Sequence, residues 1–432
     1  MKTMFKTASL AAVLALGTAL SAFAQDAISV PNLSYRTGPF AATGIPLMNG
    51  QKDYINMINA RDGGANGVII NYEECETGYN TEKGVECYEK TKGNAVVTQP
   101  WSTGITLQVL PKSNVDKRPI LAPGYGFSAM ADGKTFQWAF NPPSSYWDGA
   151  SMILNNISGG NLDSLKGKKI ALLHLDHPFG KEPIPLLESL AAKHGFTFLP
   201  VPVGLKEMQN QSAQWLQIRR ESPDFVLMWG WGAMNAGALT EAVKTKFPMD
   251  KFVGIWWSGH DGDLLPLGEA AKGYRSISWS VPSADAPVMA DLKKHVYDAG
   301  KSDAKAEETN WVFYQRGLLI SAMLVEAVKN AQGHFNAKKV DAEQVRWGLE
   351  NLKFDDAKIA ELGLKDMIVP FETSCANHTG HGGAWMLEWD GAKFNKVSDK
   401  LAADAATVSA LEAAKAKEYA DANAPWPVAE CK

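Results

Sequence analysis

An α/β fold of two lobes with parallel central sheets is predicted by three observations on this 432-residue chain. Short runs of β-branched and apolar residues alternate with helix-period segments through most of its length. The strand runs are continuously apolar, as strands covered by helices on both faces are. The alternation stops at Gly159-Gly160 and then restarts, giving one run before about Tyr146 and a second after it.

The elements follow in order. Ile28 to Leu33 reads as a strand, and Leu47, Gln51, Ile55 and Ile58 share a helix face that Asp62-Gly63-Gly64 ends. Gly67 to Tyr72 is a strand, Thr81 to Lys92 a helix, Ala95 to Thr98 a strand, Thr103 to Leu110 a short helix and Pro119 to Ala122 a buried strand. In the second run, strands are expected at Lys169 to Leu175, Phe196 to Val203, Phe225 to Trp229 and Phe252 to Trp257. Helices fall between them, the first marked by Ile184, Leu187 and Leu190 and capped at Gly195. The helix Asn310 to Lys329 has to return to one lobe, and an Ala-rich helix over Lys400 to Asn423 precedes Pro425-Trp426-Pro427.

At the N-terminus, Lys2 and Lys6, an apolar run from Ala8 to Leu20, and Ala22-Phe23-Ala24 read as a cleavable export signal cut after Ala24. Without those 24 residues the chain carries 41 basic against 47 acidic side chains, a net charge of −6 that argues against a nucleic-acid surface. Gly317 to Val328 is interrupted by Glu326 and too short to span a bilayer, so it reads as a buried helix and no membrane insertion is expected. Four cysteines in an oxidising compartment suggest two disulfides. Cys75 with Cys87 and Cys375 with Cys431 is the nearest-neighbour pairing, although four cysteines allow three.

The residues also resemble a known family. Thr37-Gly38-Pro39-Phe40-Ala41-Ala42-Thr43-Gly44, the helix ending Asn59-Ala60-Arg61-Asp62-Gly63-Gly64, and Asn71-Tyr72-Glu73-Glu74 look like the opening of the leucine/isoleucine/valine-binding family of type I periplasmic binding proteins. His177-Pro178-Phe179-Gly180 and Asp224-Phe225-Val226 with Gly230-Trp231 resemble that family's second lobe. The resemblance implies two Rossmann-like lobes joined by a multi-strand hinge, a small-molecule solute in the cleft, a location in the periplasm, and the permease subunits of an ATP-driven (ABC) importer as partner. The expected domains are residues 25–146 plus about 283–350 for one lobe, 147–282 plus about 351–398 for the other, and a helical tail over 399–432. The expected state is a monomer.

Ligands of open α/β sheets bind beyond the carboxyl ends of strands. Trp101-Ser102-Thr103-Gly104 follows one strand and opens a helix, so its hydroxyls and N–H groups suit a carboxylate, while Ser102 also suits a helix cap. Gly124-Tyr125-Gly126 follows the next strand, and Tyr146-Trp147 lies where the chain changes lobes. The second lobe supplies Phe179, Trp231 and the loop Trp256-Trp257-Ser258-Gly259-His260-Asp261. The expected ligand set is therefore Trp101, Ser102, Thr103, Gly124, Tyr125, Tyr146, Phe179, Trp231, Trp256 and His260. Fourteen tryptophans, several in strand-end loops, suit a flat or apolar solute. Amino-acid binders of the resembled family carry an acid for the ligand ammonium where this chain has Trp256, so an amino acid is disfavoured unless Asp261 or Asp263 substitutes.

Two rivals come from other classes. A periplasmic sensor subunit would use the same cleft. A metal-dependent hydrolase would need Cys375, His378 and His381, with Glu372 nearby, and the His260 loop. A Cys375–Cys431 bond would remove the thiolate. The chain lacks a Gly-x-Ser-x-Gly elbow, a phosphate-binding Gly-Lys-Ser/Thr loop and a zinc-protease motif, so no catalytic residue, metal or cofactor is expected.

Overall fold

The computed structural model describes residues 27–431, so the expected cut after Ala24 lies outside them. The first run of alternation gives β1 (Ile28–Asn32), α1 (Ala41–Asp62), β2 (Ile70–Glu74), α2 (Thr81–Thr91), α3 (Thr103–Asp116), β3 (Ile120–Leu121) and β4 (Ala139–Phe140). β1 pairs in parallel with β2, and β3 with β4. The extended segment 95–99 joins them through parallel bridges Ser29 to Ala95, Asn32 to Gln99 and Thr98 to Ile120. One parallel sheet results, and its strands all point their carboxyl ends the same way.

The second run gives α4 (Tyr146–Ile157), β5 (Lys169–Leu175), α5 (Pro178–Lys181), α6 (Ile184–His194), β6 (Thr197–Val203), α7 (Ser212–Glu221), β7 (Phe225–Trp229), α8 (Ala233–Lys244), β8 (Phe252–Gly254), α9 (Asp261–Leu264) and β9 (Arg275–Ser278). The chain then forms α10 (Pro287–Leu292), α11 (Val312–His334), α12 (Ala342–Glu350), β10 (Lys353–Phe354), α13 (Asp356–Glu361), β11 (Phe371–Glu372), β12 (Trp385–Trp389), β13 (Phe394–Lys396) and α14 (Ala405–Ala422). The second sheet has the order β13-β12-β9-β8-β7-β5-β6. It is parallel from β9 to β6, but β12 runs antiparallel to both β9 and β13. The purely parallel expectation fails at this edge, where Asp390-Gly391 turns β12 back into β13 as a hairpin: Asp390 accepts from Ala392 N and Lys393 N.

α11 returns to the first sheet and packs along α1. Their backbones nearly touch, since a Cβ on Gly50 would stand 1.9 Å from the Tyr314 carbonyl oxygen and one on Gly317 2.2 Å from that of Leu47. Gly317 to Val328 is wholly buried within α11. Among the described residues no helix is long and apolar enough to cross a membrane.

The chain passes between the two sheets at three places that bond to one another. Val281 N donates to Met367 O, Val369 N to Trp279 O, Asn141 N to His378 O and Gly382 N to Pro143 O. Beyond α12, Lys358 pairs with Glu326 of α11.

Disulfides join Cys75 to Cys87 and Cys375 to Cys431. The second ties the C-terminal tail to the loop after β11, and Trp426 Nε1 donates to Thr135 O beside it at 2.7 Å.

Candidate ligand-binding site

Between the lobes lies a small cavity lined by Tyr35, Tyr79, Trp101, Ser102, Thr103, Tyr125, Tyr146, Phe179, Trp231 and Trp257. Every one of these residues sits just past the carboxyl end of a strand or at the first crossing: Tyr35 after β1, Tyr79 after β2, Trp101 to Thr103 after segment 95–99, Tyr125 after β3, Phe179 after β5, Trp231 after β7 and Trp257 after β8. Parallel strands leave helix N-termini and loops at that end, which is why one rule locates the whole wall.

The walls are rigid rings. Trp101 stacks on Tyr125 (5.2 Å, 19°), and Trp231 meets Trp257 edge-on at 5.4 Å. Tyr35 meets Tyr79 at 4.9 Å. Trp101 and Tyr79 hold left-handed backbone, φ 48° and 64°. Such strain costs on the order of 1–3 kcal/mol for a side-chain-bearing residue and gathers at functional sites. Tyr125 Oη fixes Trp101 by accepting its N–H at 2.7 Å. Burial raises the tyrosine hydroxyls of the wall far above their ordinary range, so they stay neutral.

The polar corner belongs to α3. Ser102 is its N-cap, with Oγ accepting from Ile105 N at 3.4 Å. Thr103 Oγ1 is buried without a hydrogen-bond partner, as are Trp101 Nε1 and Trp231 Nε1. No charged side chain lines the cavity.

The lobes are closed on each other over this space. Trp256 Nε1 and Trp257 Nε1 both donate to the Gly124 carbonyl, at 2.7 and 2.9 Å. Gly124 has φ 66°, and a Cβ there would lie 3.2 Å from Trp256 Nε1 and 2.7 Å from Trp279 Nε1. Glu182 Oε1 accepts from Ser128 N at 2.5 Å, and Ala233 N donates to Pro39 O. Burial lifts the Glu182 carboxyl to about 7 despite that bond.

A model of the periplasmic binding protein family matches residues 27–395. The chain belongs to the periplasmic binding protein family.

Solved structures agree with the assignment. An ABC transporter permease from the Pseudomonas fluorescens group is 36% identical, with a TM-score of 0.86 over 94% of this chain and 100% of that one. A branched-chain amino acid ABC transporter from Thermus thermophilus with bound valine is 22% identical, TM-score 0.73, over 89% and 99%. A solute-binding protein from R. palustris in complex with benzoate is 18% identical, TM-score 0.67, over 87% and 96%. A comparison with curated protein sequences found no match.

In this periplasmic binding protein the structure brings Trp101, Ser102, Thr103, Tyr125, Tyr146, Phe179 and Trp231 to one wall. Three other expected residues lie outside it. Gly124 presents its carbonyl to the two indoles. Trp256 is fully buried behind the wall, stacked on Tyr146 (5.9 Å, 15°). His260 is buried against Phe313 at 4.6 Å, and burial and then Arg316 lower it to about 3. The reason is local: β8 ends at Gly254 and a 3-10 turn follows over Trp256–Ser258. The strand expected through Trp257 stops early, and the neighbouring Trp257 faces the cavity instead. Trp147 lies in α4, where its indole donates to Glu182 O at 2.8 Å.

Tyr35 and Tyr79 were missed. The strand-end rule points to both, but β2 runs to Glu74 and not Tyr72, which moves the loop that carries Tyr79. Asp261 and Asp263 do not replace the missing acid: Asp261 accepts from Val312 N and Asp263 from Asn235.

The Cys375, His378, His381 set also comes apart. Cys375 is disulfide-bonded, His378 stacks on Phe140 with Nδ1 2.8 Å from Ala139 O, and Glu372 is exposed in β11. His381 instead joins Asp148 (Nδ1 to Oδ1, 2.9 Å) and Glu412 (Nε2 to Oε2, 3.9 Å), the group among the described His, Cys, Asp and Glu side chains close enough to share a cation. Burial opposes the His381 charge, but Asp148 and then Glu412 outweigh it and lift the imidazole to about 9. Burial and then the Asp148 charge raise Glu412 as well.

The folded state therefore holds protons that the unfolded chain releases, Glu412 above about pH 4.3 and His381 above about pH 6.5. The His381 contribution is complete below its unfolded value and disappears as pH rises through about 9. Above pH 7 the buried histidines of lowered pKa are neutral in both states, so thermal unfolding is expected to show a melting temperature falling from pH 7 to pH 9, with a shallower fall in Glu412→Gln. A melting temperature that rises over that range would refute it.

Proposed function

We propose that this protein is the solute-binding component of a branched-chain-amino-acid-type ABC importer and that it carries a small aromatic or apolar monocarboxylate. It works in the periplasm as a monomer without catalytic chemistry, handing its solute to the permease. The observation that carries this reading is the wall itself: eight aromatic rings with Ser102 and Thr103 as the polar pair and no charged group.

Each part fits one end of such a solute. The rings supply flat, rigid apolar surface, worth about 0.5–1.5 kcal/mol per aromatic pair beyond area burial. The Thr103 hydroxyl and the first-turn N–H groups of α3 suit a carboxylate, since a helix N-terminus favours negative charge. An α-ammonium, by contrast, has no acid to meet. That the R. palustris protein was solved with benzoate supports the fold's capacity for aromatic acids. Ser102, Thr103 and Tyr125 form the docking face in one lobe, and Phe179, Trp231 and Trp257 close on it from the other. Closure follows ligand because the ligand binds the closed form better.

A thermal-shift series with benzoate, hexanoate, benzamide and leucine tests the reading. A ligand that binds only the native state raises its melting temperature. Benzoate is expected to give the largest rise and leucine none. Stabilisation by leucine alone would overturn the proposal.

A further inference from the structure

Arg316 is completely buried in α11, directly behind the cavity wall. Its guanidinium bonds neutral acceptors: Nε to Ser280 Oγ (3.0 Å), one terminal nitrogen to Trp256 O (2.5 Å) and the other to Ser278 Oγ (2.8 Å). It also lies 5.0 Å from the Trp257 ring centre, 5.1 Å from Trp279 and 5.1 Å from Phe313. Among the described residues it forms no ion pair. A buried cation left without a counter-ion is costly, and such charges are normally paired.

The acids nearby offset this charge only in part and do not pair with it. Asp261, raised by burial to about 6, is mostly ionised at neutral pH, but it spends an oxygen on Val312 N at 2.7 Å and makes no ion pair with Arg316. Asp263 bonds Asn235, burial raising it to about 7, and His260 is neutral. Burial lowers Arg316 itself to about 9, with Asp261 opposing, so it remains a cation at neutral pH.

The placement relates this charge to the ligand. Trp257 touches the guanidinium from behind and lines the cavity in front. It stands 6.3 Å from Trp101, the residue before the α3 cap. The charge and the α3 N-terminus thus act on the same small cavity with the same sign.

We propose that Arg316 is the specificity-determining charge of this site: from behind Trp257 it makes the uncharged aromatic cavity select an anionic solute over its neutral isostere. This rests on the carrier reading above and adds the determinant of charge. Arg316 does not line the cavity, so it is a positioning residue that acts through its field. A unit charge one ring away in a protein interior shifts anion binding by on the order of tenfold.

The test compares benzoate with benzamide by calorimetry in the wild type, Arg316→Gln and Arg316→Lys. The benzoate preference is expected to survive in Arg316→Lys and to shrink on the order of tenfold in Arg316→Gln, with benzamide affinity changed less than about threefold. Equal losses for both ligands in both variants would mark Arg316 as a packing residue and overturn the proposal. If Arg316→Gln does not fold, Arg316→Lys decides: its benzoate preference is expected to fall at alkaline pH as the buried lysine loses its proton, and a preference level with pH would overturn the proposal. Benzoate affinity is expected to fall as pH drops through the ligand's own carboxylate pKa, and a rise would show preference for the neutral form. Binding of leucine and not benzoate would remove the aromatic-acid reading alone; leucine against leucine amide in the same proteins then reads the Arg316 effect. Binding of none of these solutes would overturn both.

Discussion

Trp256→Ala is expected to lower the unfolding free energy by about 3–5 kcal/mol, the usual cost of truncating a large buried aromatic. Trp256 is fully buried, stacks on Tyr146 of the wall and donates across the cleft to Gly124 O at 2.7 Å. Its own carbonyl accepts from Arg316. The truncation therefore opens a hole in the second lobe and removes a bond between lobes together. Trp256→Phe separates the two effects. It keeps most of the packing and loses the indole N–H, so its stability loss is expected near 1 kcal/mol, the net worth of one hydrogen bond. Gly124 O keeps Trp257 as a donor. Urea unfolding of both variants checks this, and similar midpoints for Trp256→Ala and the wild type would contradict the packing described.

The second large effect is expected at the head of α3. Replacing Ser102 and Thr103 together by Ala is expected to weaken benzoate binding about a hundredfold or more. Hydrogen bonds to a charged group are worth about 1.5–3 kcal/mol each. Thr103 Oγ1 lies near the Tyr146 hydroxyl without a well-formed hydrogen bond and can take this role, whereas Ser102 Oγ already receives Ile105 N in a long bond. Thr103→Ala alone is therefore expected to carry most of the loss. Ser102→Ala adds a capping cost of about 1 kcal/mol in stability, which thermal unfolding measures separately. Unchanged affinity in the double variant would show that the carboxylate docks elsewhere.

The strands β5 and β7 were legible residue for residue, because each is a continuous apolar run ending in a turn signal. The helix from Ile184 closes at Gly195 as its pattern requires. The parallel edge was misjudged because β12 and β13 are short, and their hairpin signal, Asp390-Gly391, lies beyond the alternating βα pattern. In the site, strand-end logic found most of the wall. It failed at Trp256 and His260 because a 3-10 turn rotates the chain after Gly254, and side-chain direction there depends on one residue of register.

The order of apolar runs, turns and aromatic loops in the chain was enough to establish two α/β lobes and to locate a cleft at the carboxyl ends of their strands. Those are properties of local periodicity and of how parallel strands must connect. Which rings face the cavity, that both indoles close on Gly124, and that Arg316 stands behind Trp257 depended on the packing of the two lobes together. Residues 124, 256 and 316 lie far apart in sequence, and only tertiary contacts set the direction of each side chain and the solvent it loses.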